Sequence, residues 1–373
     1  MQLNYVTTYP PTDESLGGAS WVDRRVIEYL SHDYDVNVLA LGSRTGDDGT
    51  IRLQIRRSPR SIARTLGQMT IRSEPYFSAK FRSDKNWRNQ LQILANHIDQ
   101  DSIVVSSQLP ALMALTEIGV AVDLHIAHNV DTVLSSMHDP QVFKLIGNAR
   151  RTECLERRIL AKPAAIAALS TRDVSRLREW NIDAQHLRLV RESDVRYLQN
   201  RRIGFLGKGS WPPNQIAVNH LLDQVMPRVR RVMGSLTPTV VIGGMDTECW
   251  GNRPGVETVG VVPSARQFYQ DLDLVVVPRA GTATGISIKM LEALELGVPV
   301  IVPQSLAVDA DVENGVIAAT TAEETAARIV EYYRTAASDT CIRPSGAISS
   351  PKESNEVPDP LKLAVRFQAK GRN

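Results

Sequence analysis

The sequence predicts an α/β protein built on doubly wound parallel sheets. The clearest pattern lies at residues 274–302, where an apolar strand, a glycine-containing loop, a helix and a second apolar strand follow one another. The same order opens the chain at residues 3–41. Such alternation is typical of parallel sheets covered by helices. A chain of 373 residues with 43% apolar side chains is long enough for two such domains.

The stretch 274–304, LVVVPRAGTATGISIKMLEALELGVPVIVPQ, carries the most information. Its β-branched run at 274–277 predicts a buried strand, and residues 286–296 have helical spacing. A second buried strand is predicted at 298–302. Because parallel sheets bind ligands at the carboxyl ends of their strands, the loop between the first strand and the helix is a candidate site.

This loop offers chemistry suited to an anion. Arg279 precedes it, Lys289 lies one turn into the helix, and Glu292 follows three residues later. Free amides at a helix N-terminus favour a phosphate group, and a glutamate nearby could accept from a ribose diol. An ordinary crossover with a solvated Lys–Glu pair explains the same residues. The residues alone leave both interpretations open.

The first half of the chain adds two candidate positions. Gly17 and Gly18 lie in a polar loop after the first strand, but they lack the spacing of a dinucleotide motif, so a flexible loop is the simpler interpretation. His128 follows a strand predicted at 120–126, where a side chain can reach a ligand. A structural histidine is the alternative at this position, and we expect His125, inside the strand, to serve in packing.

Residues 51–88 carry ten basic side chains against two acidic ones, with apolar residues interleaved. This pattern indicates either a surface that meets anionic lipid headgroups or an acidic acceptor, or a solvated helical face. Farther along, the GKGS of residues 207–210 lacks the spacing of a P-loop. We expect Asn214, just after it, to cap the following helix.

Composition excludes several classes of protein. The net charge of +2 gives no reason to expect nucleic-acid binding, and three scattered cysteines fit no metal spacing. No HExxH motif or acidic cluster indicates a metal. We expect no signal peptide or membrane span and a cytoplasmic location, with peripheral contact at the inner membrane face.

Several segments resemble the GT-B glycosyltransferases of the retaining, family-4 type. In that family two glutamates are separated by seven residues; Glu292 within LEALELGVPV matches the second, and Thr284 stands in place of the first. The stretches TTYPPTDESLGGA, HNVD, LERRIL, ALSTRD and GFLGKGSWPPN also resemble family segments, in order along residues 1–333. The charges of LERRIL are expected to lie on a solvated helical face.

The resemblance implies a GT-B fold, in which two Rossmann-like domains face a central cleft. The expected boundaries are an acceptor domain at 1–190, a linker at 191–201 and a donor domain at 202–335. A polar tail at 336–373 follows, with a helix at 360–368 that could return to the first domain.

The resemblance also implies roles for individual residues. His128, Arg279 and Lys289 would serve catalysis by orienting the sugar and neutralising the diphosphate leaving group, while Glu292 would hold the ribose. The further donor-site residues are Gly17, Gly18, Gly207, Lys208, Val262, Gly281, Thr284, Gly285 and Ile286.

The implied reaction moves a hexose-type sugar from a nucleotide-diphosphate donor to the hydroxyl of an unidentified acceptor, with retention and with no metal or other cofactor. The substitution of Thr284 favours an alternative, a catalytically silent protein that acts as a partner or sugar-nucleotide sensor. A sugar-nucleotide epimerase on the same fold is a third interpretation.

Overall fold

The computed structural model describes residues 2–12, 18–41, 59–84, 87–99, 101–189, 195–196, 198–278, 285–310 and 314–337. These residues fall into two compact units. The first contains the described residues up to Leu189 together with Gly285 and Ile286, and the second contains residues 195–278 and 287–337. The predicted boundaries at 190 and 202 stay predictions.

A parallel sheet of six strands forms the centre of the first unit. The strands are β1 (Gln2–Thr7), β2 (Asp35–Ala40), β3 (Ile103–Ser107), β4 (Leu124–Ala127), β5 (Ala165–Ala168) and β6 (Gln185–His186). Their spatial order is β2-β1-β3-β4-β5-β6. The order reverses between β1 and β3, where Thr7 is paired with Ser107. The carboxyl ends of these two strands therefore form the switch point at which such sheets bind ligands.

Nine helices of the described residues connect these strands. They are α1 (Gly18–Leu30), α2 (Pro59–Ile71), α3 (Tyr76–Arg82), α4 (Trp87–His97), α5 (Leu109–Glu117), α6 (Asp131–His138), α7 (Gln141–Leu145), α8 (Asn148–Leu160) and α9 (Thr171–Glu179). Amphipathic spacing explains most of them. In α8, for example, Leu155, Ile159 and Leu160 are buried in the core. The Ser170 side chain caps α9 by accepting from the Asp173 amide.

The second unit repeats the architecture with its own sheet and core. Its parallel strands are β7 (Arg202–Leu206), β8 (Thr239–Gly243), β9 (Val256–Gly260), β10 (Leu274–Val276), β11 (Val300–Val302) and β12 (Val316–Ala318). Their order is β12-β11-β10-β7-β8-β9, so the switch point lies between β7 and β10.

The helices of the second unit are α10 (Pro212–His220), α11 (Met226–Met233), α12 (Ala265–Gln270), α13 (Ile288–Glu295), α14 (Gln304–Ala310) and α15 (Ala322–Ala337). A π-helical turn at Leu221–Val225 joins α10 to α11. Buried residues from the strands and from α10, α11 and α15 share one hydrophobic cluster, which includes Phe205, Val218 and Ile329. The strands β7, β8, β10 and β11 are short and largely buried, which explains their apolar runs in the sequence.

Three predicted elements have different ends in the structure, and a glycine explains one of them. The helix predicted from residue 286 begins at Ile288, because Ser287 is its N-cap and has an extended backbone with φ −83° and ψ 102°. The strand predicted at 256–262 ends at Gly260, where φ is +63°. The strand predicted at 120–126 is confined to Leu124–Ala127. The predicted helix at 360–368 lies outside the described residues.

No helix in the part of the chain that the structure describes has the length and apolar character needed to cross a bilayer.

Candidate active site

Lys289 lies at the switch point of the second unit. It occupies the first turn of α13, and its Nζ donates to Asn214 Oδ1 at 2.9 Å. A Cβ atom at Gly207, the first residue after β7, would lie 3.3 Å from this Nζ and 2.6 Å from Asn214 Nδ2. The absence of a side chain at Gly207 thus lets the lysine and the asparagine come close to the end of β7.

Asn214 has a single orientation that its neighbours enforce. Its Nδ2 donates to the Lys208 carbonyl at 2.9 Å, while its Oδ1 faces the Lys289 ammonium. Because an ammonium only donates and a carbonyl only accepts, the reversed amide would lose both bonds. The prediction that Asn214 caps the helix is wrong. Trp211 occupies the N-cap of α10, and Asn214 is buried in the first turn, where it holds Lys289 instead.

The surroundings of Lys289 combine an aromatic face with a hydrogen-bonded tyrosine. The ammonium lies 4.8 Å from the centre of the Phe205 ring, within the range of a cation–π contact. Tyr269 donates to the Lys289 carbonyl at 3.3 Å and contacts Glu292 Oε2 at 3.5 Å. Burial, and then the charge of Glu292, raise the pKa of Tyr269 well above its usual value, so its hydroxyl remains a donor. Lys289 and Glu292 are therefore linked through Tyr269.

The loops after β7 and β8 touch through their backbones. The Gly207 amide donates to the Gly243 carbonyl at 2.9 Å, and the Gly209 amide donates to the Met245 carbonyl at 2.7 Å. A Cβ atom at Gly244 would lie 2.2 Å from the Gly207 carbonyl oxygen, and Gly244 has φ +123°. The contacts of Gly209 and Gly244 fix the backbone position of Gly207 and Lys208. The side chain of Lys208 is exposed.

The remaining predicted donor-site residues are distributed as follows. Val262 is half-buried and lies two residues beyond β9. In the described structure it forms no hydrogen bond to Lys289, Asn214 or Tyr269. Gly18 begins α1. Gly285 and the half-buried Ile286 belong to the first unit, where a Cβ atom at Gly285 would lie 2.8 Å from the His128 carbonyl oxygen. Four predicted residues lie outside the described residues: Gly17, Arg279, Gly281 and Thr284.

In the first unit, His128 lies just beyond the end of β4. Its Nε2 is 2.8 Å from Ser107 Oγ and 3.5 Å from Asp23 Oδ1. The side chain lines a cavity of about 220 Å³ whose wall also includes Gln108, Asn129 and Glu156. His125, inside β4, is buried, and its Nδ1 lies 2.8 Å from Ser106 Oγ. Burial, and then the neighbouring His128, lower the pKa of His125 to about 3, so it is neutral, as a packed strand residue should be.

Asp23 is a fully buried carboxylate that the sequence prediction missed. It projects from α1 to the switch point and accepts hydrogen bonds from Tyr5, Thr7, Ser107 and Gln108. A signal was present, since Asp23 precedes Val26, Ile27 and Leu30 at helical spacing and therefore lies on the apolar stripe of α1. A charged residue on such a stripe indicates a buried polar network.

Glu156 corrects a second expectation. The charges of the segment 155–158 were predicted to form a solvated face, yet Glu156 is 1% exposed. Its carboxylate accepts from the Asp131 and Thr132 amides at 2.8 and 2.9 Å and from the Thr132 hydroxyl at 2.7 Å. It thus satisfies the first amides of α6. Burial raises the pKa of Glu156 to about 7 in spite of these hydrogen bonds, which lower it.

Within the described ranges, no group of three or more His, Cys, Asp or Glu side chains is arranged to hold a metal ion. The two described cysteines, Cys154 and Cys249, are free and exposed.

Residues 200–335 match the family model described as "Glycosyl transferases group 1". A comparison with curated protein sequences finds no match. Among solved structures, Anabaena HepE in complex with UDP and glucose is 11% identical, with a TM-score of 0.55 and 99% of both chains covered. Trehalose-6-phosphate synthase OtsA is 10% identical, with a TM-score of 0.58, and the match covers 91% of this chain and 92% of that one.

A third structure, of WaaG, a glycosyltransferase involved in lipopolysaccharide biosynthesis, is 13% identical with a TM-score of 0.53. It covers 89% of this chain and 90% of its own. At such low identities these structures establish the fold. The prediction of an α/β protein of the GT-B type with two Rossmann-like units is confirmed, and so is the resemblance to the GT-B glycosyltransferases.

Proposed function

We propose that this protein transfers a sugar from a nucleotide-diphosphate donor to an acceptor hydroxyl, with retention of configuration and without a metal. The observation that carries the proposal is the position of Lys289. An ammonium oriented by Asn214 lies beside Gly207 at a sheet switch point, inside the segment that matches the group 1 glycosyl transferases. Parallel sheets bind ligands at such points.

Sugar transfer is favoured by a positive charge beside the leaving diphosphate, and Lys289 would supply that charge. When the bond from the sugar to the donor breaks, negative charge develops on the leaving diphosphate. Lys289 would neutralise that charge together with Arg279 and the amides of the Gly281–Gly285 loop. The nearby glycines Gly207 and Gly244 allow the phosphates to approach the backbone.

The other donor-site roles follow from the resemblance and the geometry together. Glu292, linked to Lys289 through Tyr269, would accept from the ribose hydroxyls. His128 would contact the sugar, and Lys208 would add a second positive charge beside Gly207. The HepE structure contains UDP and glucose, which supports a nucleotide sugar as the donor for this chain.

The test is nucleotide binding followed by turnover. We expect one nucleoside diphosphate from a panel to raise the melting temperature of the full chain, because a ligand that binds only the folded state stabilises it. Lys289→Ala should abolish this rise, and Asn214→Ala should weaken binding by about tenfold, the effect of losing a charge-assisted hydrogen bond. The anomeric configuration of the product and turnover in EDTA test retention and metal independence.

Two controls keep this result specific. Lys162→Ala removes an exposed lysine outside the proposed site, and Asn219→Ala removes an amide on the same helix as Asn214, where it accepts from Trp250. Neither should change nucleotide affinity. If Lys289→Ala released nucleoside diphosphate from the true substrates at the wild-type rate, the proposed role of the lysine would be wrong.

Thr284 favours a second candidate, a silent protein that senses a sugar nucleotide. It replaces the glutamate that contacts sugar hydroxyls in the resembled family. A sensor would bind the nucleotide sugar and release no nucleoside diphosphate, with or without acceptors. Transferred product would exclude this candidate, and interconversion of donors without transfer would instead indicate an epimerase.

We also propose that α2 brings the protein to an anionic membrane surface at the cytoplasmic face. Ile62 and Leu66, one turn apart on α2, are 53% and 47% exposed, and Arg60 and Arg64 beside them are exposed as well. Apolar and basic side chains together suit an interface with anionic lipids. Arg60→Glu with Arg64→Glu should abolish flotation with anionic liposomes at low salt, whereas Arg231→Glu with Arg266→Glu should not. Absence of flotation for the wild-type chain would refute the proposal.

A further inference from the structure

The buried network around Asp23 connects the switch point of the first unit to His128. Asp23 Oδ1 accepts from Tyr5 at 2.7 Å and from Ser107 at 2.5 Å, and its Oδ2 accepts from Thr7 at 2.5 Å and from Gln108 at 3.2 Å. Among the described residues, His128 has a ring nitrogen within 4 Å of this carboxylate, with Nε2 lying 3.5 Å from Oδ1. Four hydrogen bonds, from residues of β1 and β3 and from Gln108, hold the Asp23 carboxylate in one orientation.

The direction of each hydrogen bond in this network can be assigned from what each group is able to donate. A carboxylate accepts hydrogen bonds and does not donate them. The Ser107 hydroxyl therefore donates its single proton to Asp23 Oδ1. Tyr5 donates its own proton to Asp23 Oδ1 and so provides none to Ser107. Ser107 Oγ can then only accept from His128 Nε2, 2.8 Å away. The Nε2 atom therefore carries a proton.

The other ring nitrogen of His128 remains available. In the described structure, Nδ1 forms no hydrogen bond, and 9% of the His128 surface is exposed. The imidazole also lines the cavity of about 220 Å³. A neutral imidazole with its proton on Nε2 has a lone pair on Nδ1 and can accept a hydrogen bond there.

We infer that Asp23 and Ser107 are positioning residues that hold His128 as its Nε2–H tautomer, so that Nδ1 accepts a hydrogen bond from a ligand hydroxyl. The inference rests on the proposed function for the identity of that ligand as a sugar. No proton is transferred along the network. Its role is to select the tautomer and the ring orientation before a ligand arrives.

The test is the tautomeric state of His128, which does not depend on turnover. Long-range proton–nitrogen correlation spectra of the ¹⁵N-histidine-labelled full chain distinguish a protonated ring nitrogen from one with a lone pair. The spectra are recorded at about pH 8, above the ordinary pKa of histidine, and His128→Asn assigns the signals. We expect the wild type to have Nε2 protonated and Nδ1 unprotonated, and Ser107→Ala to give averaged signals because the acceptor that selects Nε2–H is gone.

The neighbouring serine provides a matched control. Ser106→Ala removes the partner of His125 Nδ1 and should shift the signals of His125 while those of His128 keep the Nε2–H pattern. Asp23→Asn, which can donate to Ser107, should also disturb the tautomer of His128. If the Asp23 variant does not fold, Ser107→Ala still decides the question. A wild-type His128 protonated on Nδ1, or a Ser107→Ala spectrum with unchanged His128 signals, would overturn the inference.

Turnover adds a separate measurement. With a donor and acceptor identified, Ser107→Ala should lower kcat/KM by about fivefold to tenfold, the size expected for one misdirected neutral hydrogen bond. An unchanged kcat/KM in this variant would refute the contact of Nδ1 with the sugar. If no donor supports turnover in the wild type, the proposed function fails while the tautomer result stands.

Discussion

Glu156 is a carboxylate in the interior of the first unit, and hydrogen bonds rather than a cation compensate its charge. In the described structure no lysine or arginine forms an ion pair with it, and its three donors all come from the start of α6. Burial raises its pKa from the ordinary 4.5 to about 7, and the neighbouring Asp173 raises it further against the effect of those donors. Burial also raises the pKa of Asp131 well above its usual value, with Glu156 contributing.

The pKa of Glu156 predicts that its contribution to stability decreases as the pH rises through the window from about 4.5 to about 7. In that window the unfolded state has lost the proton of Glu156 while the folded state still binds it, so folding is favoured at the acid end. The contribution reaches up to about 3 kcal/mol, at about 1.4 kcal/mol for each pH unit. Glu156→Gln cannot ionise, so its melting temperature should depend less on pH between about pH 5 and about pH 8 than that of the wild type.

Glu153, half-buried on the same helix, is the control for this prediction. It pairs with Arg157 at the surface, and Glu153→Gln should retain the pH dependence of the wild type. A Glu156→Gln variant with the same pH dependence as the wild type would contradict the assignment of the effect to this carboxylate.

At the residue scale, the sequence indicated the candidate ligand-binding groups more readily than the groups that support them. Lys289 was predicted from a loop motif, and the structure brings it beside Gly207. Asp23, Asn214 and Glu156 were missed or misassigned because their roles depend on contacts distant in sequence, such as the 75-residue separation between Asn214 and Lys289. Only the placement of a polar residue on an apolar helical stripe indicated Asp23 and Glu156 in advance.

The β7 and β8 loops form the element that sets the shape of the second unit's switch point. One hydrogen bond from Gly207 to Gly243 at the end of β8 and one from Gly209 to Met245 between the loops hold the backbone of Gly207 against that of Gly244. A side chain at Gly244 would meet backbone 2.2 Å away, and backbone atoms cannot yield as a flexible side chain does. The φ of +123° adds strain for any residue with a Cβ atom.

We therefore predict that Gly244→Ala destabilises the second unit by more than about 2 kcal/mol, since overlap and strain add. It should also weaken nucleoside diphosphate binding, because Gly207 and Lys208 would move. Gly255→Ala is the matched control. Gly255 has φ +76°, but its nearest contact is the Arg230 side chain at 3.4 Å, so strain alone should cost about 1 kcal/mol. Equal melting temperatures for the two variants would contradict the loop contact as the cause.

At the element scale, alternation of apolar runs and helical spacing predicted both sheets, because parallel strands are buried on both faces. The spatial order of the strands was not visible in the sequence. That order places Thr7 opposite Ser107 in one sheet and β7 beside β10 in the other, and it determines where the side chains of each cluster meet. The start of α13 was misplaced because its N-cap Ser287 has an extended backbone, and the end of β9 was misplaced because Gly260 has a positive φ; neither conformation can be read from the residue type.

The whole molecule consists of two units that each have a sheet, a switch point and a core. One buried cluster contains residues from Val6 to Ala184, and another contains residues from Ile203 to Tyr333. The proposed nucleotide contacts of Lys289, Lys208 and Glu292 belong to the second unit, whereas the Asp23 network belongs to the first. The predicted division of labour, with the donor nucleotide bound by the second unit, can therefore be tested separately for each unit.

Hydrogen exchange provides that test. A nucleoside diphosphate without a sugar, at about 100 times its Kd, should slow exchange in the core strands β7, β8 and β10 by up to about 100-fold, because exchange there requires unfolding of the unit that holds the ligand. Exchange in β1 and β3 should change little, since their core is separate from that of β7, β8 and β10. In Lys289→Ala the protection of β7, β8 and β10 should disappear at the same concentration. Equal protection of β1 and β3 in the wild type would show that the two cores unfold together, and protection confined to β1 and β3 would place the nucleotide in the first unit and refute the proposed donor site.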